Sequence, residues 1–126
     1  MKSRNNLSKC TTSLTLPPWY WKKGLHDAQI CQMQHYDNSY HENTRFNNCL
    51  ELIIDSRHAL FDTSVKRICF YNFKILSPDA EIVDAWWISD ELIVQNGKYI
   101  VQIAFRKGKE MIKYSIRFEN CVVFRE

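Results

Sequence analysis

The last third of the chain, residues 90–126, constrains the fold most, because it has the pattern of a β-meander. Asn96-Gly97 separates the runs Glu91-Leu-Ile-Val-Gln95 and Lys98-Tyr-Ile-Val-Gln-Ile-Ala-Phe-Arg106. A two-residue type I′ turn needs positive φ at both central positions, which Asn and Gly tolerate. A Lys107-Gly108-Lys109 turn and a last alternating run follow. The sequence therefore predicts consecutive antiparallel strands at the C-terminal end.

Alternation of apolar residues assigns one buried face to each strand of this meander. The middle strand carries Tyr99, Val101, Ile103 and Phe105 on that face, and the next strand carries Ile112, Tyr114, Ile116 and Phe118. Earlier in the chain, residues 49–55 form a predicted strand with one apolar face at Leu50, Leu52 and Ile54. Residues 67–76 are apolar on both faces, with Ile68 and Phe70 opposite Cys69, Tyr71, Phe73 and Ile75. A strand of this kind is expected to be covered on both sides.

The remaining segments are less regular. We expect a helical turn or tight loop at residues 18–24, a first strand at 29–35 and a long hairpin loop at 36–47. Residues 56–65 are an irregular crossing under which Leu60 and Phe61 are expected to tuck. Ser77-Pro78-Asp79 is typical of a helix start, whereas Trp86-Trp87-Ile88 favours a strand. We therefore expect one helical turn or a loop at 78–82 and a strand from Trp86 to Ile88.

Strand patterns outnumber helical patterns along the whole chain. With 126 residues and 45% hydrophobic content, the chain has the size and composition of one domain with its own core. We expect a flexible N-terminal tail at residues 1–16 and a single β-rich domain at residues 17–126. The predicted fold class is mainly β, with α+β as the alternative. It is an antiparallel sheet rolled into a barrel or sandwich, with at most one or two short helices.

Charge and cysteine content bear on partners and compartment. The net charge of +3, from 17 basic and 14 acidic residues, is too mild to predict a nucleic-acid partner. The five cysteines are an odd number, and none lie at the close spacing of a zinc or redox motif. Free cysteines in apolar runs, no apolar leader and no run of membrane length predict a cytoplasmic protein without a membrane partner. No cofactor is expected.

The sequence has no pattern of a nucleophilic or phosphate-binding enzyme, such as Gly-x-Ser-x-Gly, Ser-x-x-Lys or a glycine-rich loop. His26-Asp27 could act as a general base or hold a metal, but neighbouring residues in a strand point to opposite faces. We expect this pair to satisfy backbone groups instead. His35, Asp37 and His41 offer ligand atoms in one polar loop, without the four closely spaced ligands of a zinc site. We therefore predict no catalytic residue and no metal site.

Basic and aromatic residues leave an anionic partner as an alternative. A basic face with rings for base stacking could be built from Lys66, Arg67, Arg106, Lys107, Lys109, Tyr71 and Tyr99. Acidic residues are almost as numerous as basic ones, and no long basic run occurs. A solvated sheet face is the simpler interpretation.

Tryptophan indicates a binding surface more clearly than any other residue type here. If residues 86–88 form a strand, Trp86 and Trp87 face opposite sides and cannot both enter one core. Either the sheet is covered on both faces or one large ring is exposed, as in binding hot spots. Trp19 and Trp21 could instead cap one face as a second small core. The candidate binding residues are Trp19, Trp21, His26, Asp27, Trp86 and Trp87.

Three segments resemble small uncharacterised bacterial β-domain families: Trp21-Lys-Lys-Gly-Leu-His-Asp-Ala-Gln-Ile30, Asn48-Cys-Leu-Glu-Leu52 and Trp86-Trp87-Ile-Ser-Asp-Glu-Leu92. Such families open on a Leu-His-Asp-Ala strand and carry Trp-Trp-x-x-Asp-Glu before a terminal meander, and some are immunity proteins of polymorphic toxin systems. The resemblance covers residue 20 to the end and carries over no catalytic residue. It implies a non-enzymatic cytoplasmic protein that binds a protein partner, with a cognate toxin as the specific case. The alternative is a small-molecule or nucleic-acid binding domain that uses an aromatic sheet face.

Overall fold

The computed structural model describes residues 16–126, so all but the last residue of the predicted tail at 1–16 lies outside the described part of the chain. Residues 16–126 contain strands and no helix, which confirms the mainly β prediction. The strands are β1 Gln29–Tyr36, β2 Ser39–His41, β3 Thr44–Phe46, β4 Cys49–Asp55, β5 Val65–Tyr71, β6 Lys74–Ile75, β7 Trp86–Gln95, β8 Lys98–Lys107, β9 Glu110–Phe118 and β10 Asn120–Arg125.

The predicted C-terminal meander is formed by β7, β8 and β9, which pair in sequence as antiparallel neighbours. Asn96 and Gly97 have φ values of 52° and 75°, and the flanking residues Gln95 and Lys98 pair with each other. This is the two-residue turn with positive φ at both central positions that Asn-Gly favours. The second turn contains Gly108 at a φ of 63°.

The sheet closes on itself because two of its strands bend and pair on both sides of the bend. Its order is β10-β5-β4-β1-β7-β8-β9-β6, and along the chain β6 continues β5 while β10 continues β9. β10 pairs with β5, and β6 pairs with β9. Asn120 pairs with Tyr71 on one side of the bends, and Ile116 pairs with Ile75 on the other side. The two pairs have the same antiparallel register, so the pairing of the two chain segments continues through both bends. The predicted rolled sheet is therefore a barrel, with β5/β6 and β9/β10 closing it.

The interior of the barrel holds the main core, and the predicted alternation identifies its residues correctly. β4 contributes Leu50, Leu52 and Ile54, and the inward faces predicted for β8 and β9 are buried or packed against the core. Trp87, Phe70, Phe105 and Phe118 are among its largest fully buried side chains. Each side chain of this size stabilises the fold by about 1.5–3 kcal/mol when it is fully buried. The concave face of the sheet is thus filled by the chain's own aromatic and aliphatic residues.

A second, smaller cluster lies on the other face of β4 and β5, under the hairpin formed by β2 and β3. The Phe46 ring stacks on Tyr71 with 4.5 Å between the ring centroids. Cys49 and Cys69 are buried in the same cluster. The long hairpin loop predicted at 36–47 therefore contains two short strands, and its last residues cover β5. This explains why β5 is apolar on both faces.

The prediction that Cys69, Tyr71, Phe73 and Ile75 share one face is wrong. Cys69 and Tyr71 belong to the smaller outer cluster, whereas Phe73 and Ile75 pack against the main core. Asn72 lies between the two pairs with a φ of 53°. A single left-handed residue bends the strand and reverses the alternation, which a period of two cannot predict.

Residues 76–85 form a loop, which agrees with the second of the two alternatives for residues 78–82, a helical turn or a loop. Within this loop, the side chains of Ile82 and Ala85 point inward and are fully buried. Its backbone is tied to β1, because the Asp84 N–H donates to the Ile30 carbonyl at 2.7 Å and the Ile30 N–H donates to the Ala85 carbonyl at 3.0 Å. Besides one turn bond from the Ala85 N–H to the Ile82 carbonyl at 3.0 Å, these long-range hydrogen bonds take the place of the regular internal bonds of a helix. The predicted strand from Trp86 is confirmed and extends to Gln95.

Candidate functional site

The most unusual polar group of the interior is the carboxylate of Asp90, a residue that is only 6% exposed. Its Oδ1 accepts a hydrogen bond from the Tyr20 hydroxyl at 2.5 Å. Its Oδ2 accepts hydrogen bonds from the indole Nε1 atoms of Trp21 and Trp87, both at 2.9 Å. Burial, and then the hydrogen bond to Asp90, raise the pKa of Tyr20, which keeps this hydroxyl a donor. Three donors thus offset the cost of removing the carboxylate from water.

A β-bulge at Ile88 places Asp90 on the same side of the sheet as Trp87. In a regular strand, residues three apart point to opposite faces. The pairing of Trp87 and Ser89 with consecutive residues of β8 leaves Ile88 as an extra residue. One extra residue reverses the alternation beyond it, so that Ser89 is exposed and Asp90 is buried. Trp87 and Asp90 of the Trp-Trp-x-x-Asp segment therefore both point into the interior of the barrel.

His26 and Asp27 lie in the turn before β1, where Asp27 has a φ of 73°. The two side chains converge, with 3.5 Å between His26 Nε2 and Asp27 Oδ1. The expectation that the two side chains point to opposite faces is wrong, because it holds for neighbours in a strand and this pair lies in a turn. The Nδ1 atom of His26 lies 2.5 Å from the carbonyl oxygen of Ile88 and donates to it. As predicted for this pair, His26 satisfies a backbone group, namely the carbonyl at the bulge.

The first and third resembling segments pack against each other, which gives them a structural role. The Asp27 N–H donates to the Trp87 carbonyl and the Trp87 N–H donates to the Ala28 carbonyl, both at 2.8 Å. Leu25 and Ala28 are fully buried. These contacts join the 22–27 turn to β7 at Trp87, whose indole donates to Asp90.

The four tryptophans divide into two buried and two half-buried rings. Trp21 is 3% exposed and Trp87 is fully buried, so neither ring is available to a partner in the folded chain. Trp19 is half-buried and packs its ring against Tyr99, with 5.3 Å between centroids. Trp86 is half-buried on the outer side of β7. Trp21 belongs to the main core, and Trp19 packs against it. The alternative that they cap one face of the sheet as a second small core is therefore wrong.

The most exposed large apolar side chains near His26 are Leu60 and Phe61, which are 58% and 79% exposed. The expectation that they tuck under the crossing is wrong. The Leu60 N–H donates to the His26 carbonyl at 2.8 Å, and the Phe61 N–H donates to the Gly24 carbonyl at 3.2 Å. Because the backbone is held inward by these bonds, the side chains point outward. No sequence signal separates such a loop from one that buries the same residues.

Two hydrogen-bonded carboxylates fix the ends of this 56–64 loop. Burial raises the pKa of Asp62, but hydrogen bonds from Arg125 and Ser64 outweigh this effect and lower it. Hydrogen bonds from the Arg57 side chain and backbone hold the pKa of Asp55 at about 2. The loop is therefore anchored to the barrel on both sides of Leu60 and Phe61.

The other polar candidates form separate pairs. His35 Nε2 lies 3.6 Å from Asp37 Oδ1, whereas the His41 ring stacks on Tyr71. Among residues 16–126 no group of three or more His, Cys, Asp or Glu side chains could hold a metal ion.

The basic residues of β5 are engaged in ion pairs. Lys66 Nζ lies 3.1 Å from Glu126 Oε1, and an Arg67 terminal nitrogen lies 3.1 Å from Glu51 Oε2. The Arg67 guanidinium also stands 4.0 Å from the centroid of the Phe124 ring. Tyr71, one of the two rings considered for base stacking, is 3% exposed and so offers no stacking surface.

Comparisons with models of known protein families, with curated proteins and with solved structures give no match. Within residues 16–126, no helix is long and apolar enough to span a membrane.

Proposed function

We propose that this chain is a non-enzymatic protein-binding domain that recognises its partner through Leu60 and Phe61. The observation that carries the proposal is the exposure of these two adjacent apolar side chains on a loop whose backbone is fixed. Apolar side chains that are exposed next to each other mark interaction sites, whereas single scattered ones are normal on a protein surface. An aromatic side chain whose backbone is already fixed has few rotatable bonds left to order on binding.

The surroundings of the two side chains suit a binding interface. The Arg57–Asp55 ion pair, at 2.8 Å, and the His26–Asp27 pair lie on the segments that flank or hold the loop. An apolar centre with a polar rim is the usual anatomy of a protein interface, and the centre contributes most of the affinity. The loop hydrogen bonds to Gly24 and His26 link this rim to the 22–27 turn.

The specific form of the proposal is a cytoplasmic immunity protein that neutralises a toxin by covering its active site. The resemblance of the Leu-His-Asp-Ala and Trp-Trp-x-x-Asp-Glu segments supports it. Cys31, Cys69 and Cys121 carry thiols that form no disulfide, and free thiols persist most readily in a reducing compartment. This form also predicts a toxin-like open reading frame beside the gene.

The test is a titration of this chain with the catalytically inactivated product of that neighbouring open reading frame, followed by calorimetry. Phe61→Asp is expected to weaken binding by about a hundredfold, since a central aromatic anchor contributes about 2–3 kcal/mol. Tyr40→Asp is the matched control, because Tyr40 is also a well-exposed aromatic residue, at 67%, on the β2–β3 hairpin. Equal loss in both variants, or no binding by the wild-type chain, would contradict the proposal.

A further inference from the structure

An open groove of about 550 Å³ lies on the outer face of β7, β8 and β9. The polar side chains that face it belong to Lys23, Ser89, Glu91, Gln102, Lys113 and Ser115. Asp90, Ile103 and Tyr114 also line the groove, but their side chains lie on the inner face of the sheet. The strand residues form two rows across the sheet, since Ser89 pairs with Ala104 and Ala104 with Lys113, while Glu91 pairs with Gln102 and Gln102 with Ser115. Directly paired residues of adjacent strands point to the same side. The six strand positions therefore face the groove together.

Small side chains produce the depression. Ser89, Ala104 and Ser115 occupy three of the six positions. The rows on either side carry larger residues, because Trp86 pairs with Arg106 at one end and Ile100 pairs with Arg117 at the other. A patch of short side chains between long ones leaves a concave site on a sheet face that would otherwise be level.

The charged groups of this face have no ion-pair partner among residues 16–126. None of Lys23, Lys113, Arg106 and Arg117 lies within ion-pair distance of a carboxylate there, whereas Arg57, Lys66, Arg67, Lys98 and Arg125 each do. Glu91 is the acid that lines the same groove. The face therefore combines excess positive charge, one carboxylate, one amide and two hydroxyl groups.

Lys23 reaches the groove from the 22–27 turn. Lys22 and Lys23 have φ values of 55° and 63°, a left-handed conformation that costs about 1 kcal/mol for a residue with a side chain. The turn closes through the Gly24 N–H, which donates to the Trp21 carbonyl at 3.0 Å. Because Trp21 is buried against Asp90, the backbone next to Lys23 is anchored to the core.

We propose that this groove binds a small anionic sugar, a polyhydroxylated ring that carries a phosphate or a carboxylate. The two lysines suit the anionic group, since ammonium groups bind phosphate and carboxylate oxygens strongly. Glu91 and Gln102 suit the ring hydroxyls, because a carboxylate accepts hydrogen bonds from hydroxyl groups and an amide both donates and accepts. The volume lies in the range of small-molecule sites and holds one sugar unit. This ligand site goes beyond the protein-binding proposal and does not depend on it.

The test follows backbone amide shifts by NMR while glucose 6-phosphate, glucuronate, glucose or inorganic phosphate is added. The first two probes distinguish a phosphate from a carboxylate as the anionic group. At least one of them is expected to shift residues 89–91, 102–104 and 113–115 saturably, at least roughly tenfold more tightly than glucose or inorganic phosphate. Lys113→Ala is expected to weaken this binding by about tenfold.

Three control variants decide between this site and a non-specific charge effect. Lys66→Ala removes the same charge from a lysine paired with Glu126 and is expected to leave the affinity unchanged. Glu91→Gln is expected to weaken sugar-phosphate binding but not binding of inorganic phosphate, because the carboxylate is proposed to accept from ring hydroxyls, which inorganic phosphate lacks. Phe61→Asp is expected to have no effect, which separates this proposal from the proposed protein interface.

The proposal is overturned by any of three results. These are no saturable shift up to about 50 mM of either anionic sugar, inorganic phosphate binding as tightly as the sugar derivatives, or equal weakening by Lys66→Ala and Lys113→Ala. Far-UV circular dichroism of each variant confirms folding, which the exposure of all the substituted side chains favours.

Discussion

Replacing Asp90 with alanine removes the acceptor shared by three buried donors. A hydrogen bond to a charged group contributes about 1.5–3 kcal/mol, and a buried donor left unpaired adds its own cost. Three such bonds, partly relieved by water in the vacated space, give an expected loss of about 4 kcal/mol. This is a large part of the 5–15 kcal/mol that is typical of the free energy of unfolding of a domain.

Asparagine at the same position should cost less, for a reason that the geometry supplies. The indole groups of Trp21 and Trp87 can only donate, whereas the Tyr20 hydroxyl can also accept. Because both indoles bind Oδ2 and Tyr20 binds Oδ1, an asparagine can turn its oxygen toward the indoles and its NH₂ toward Tyr20. The expected loss for Asp90→Asn is about 1.5 kcal/mol.

Equilibrium unfolding in urea measures both losses, with tryptophan fluorescence and far-UV circular dichroism as independent probes. Asp79→Ala is the control, since Asp79 is an exposed aspartate outside the cluster, and it should change stability by less than about 0.5 kcal/mol. In the Asp90→Ala background, Trp21→Phe should cost about 1–2 kcal/mol less than in the wild type, because its acceptor is already lost.

A loss of less than about 1 kcal/mol for Asp90→Ala relative to the control, or an equal loss for Asp90→Asn, would show that Asp90 is not the acceptor on which the three donors depend. Additive costs of Trp21→Phe and Asp90→Ala would show that the two side chains do not interact energetically.

Two further predictions concern the 56–64 loop and the smaller outer cluster. The pKa of Asp62 is lowered below its usual 3.8 in the folded chain, so its stabilising contribution is complete above that value and is lost as the pH falls through the folded-state pKa. Thermal unfolding of Asp62→Asn should therefore show a weaker loss of stability below about pH 4 than the wild type, and parallel curves would contradict this. Phe46→Ala should expose Cys49 and Cys69, so that titration with a thiol reagent shows two more fast-reacting thiols, at rates roughly tenfold above wild type. Unchanged thiol kinetics would show that the Phe46 ring does not shield the cluster.

The strands and their buried faces follow from the sequence because their signals are local. Asn96-Gly97 specifies a turn through its own backbone preferences, and the alternation of Leu50, Leu52 and Ile54 reflects the two-residue period of any strand with one buried face. The apolar character of both faces of β5 likewise predicts that it is covered twice. None of these inferences needs to know which strands are neighbours, and each is confirmed.

The errors occur where one residue reverses a local rule because of a distant contact. Asn72 bends the chain between β5 and β6, and Ile88 bulges from β7. The sequence carries no separate signal for either event, since both are fixed by pairing with other strands. Leu60 and Phe61 are turned outward in the same way, by hydrogen bonds to the distant 22–27 turn.

The tryptophan residues show most clearly which features follow from the local sequence and which depend on the fold. The adjacent positions of Trp86 and Trp87 in a strand are enough to predict that they face opposite sides and that one of them enters the core. The buried carboxylate that Trp87 shares with Tyr20 and Trp21 is not predictable in this way, because these residues lie about 70 positions away in the sequence. The direction of a side chain depends on its own backbone, whereas its hydrogen-bond partner depends on how the whole sheet closes.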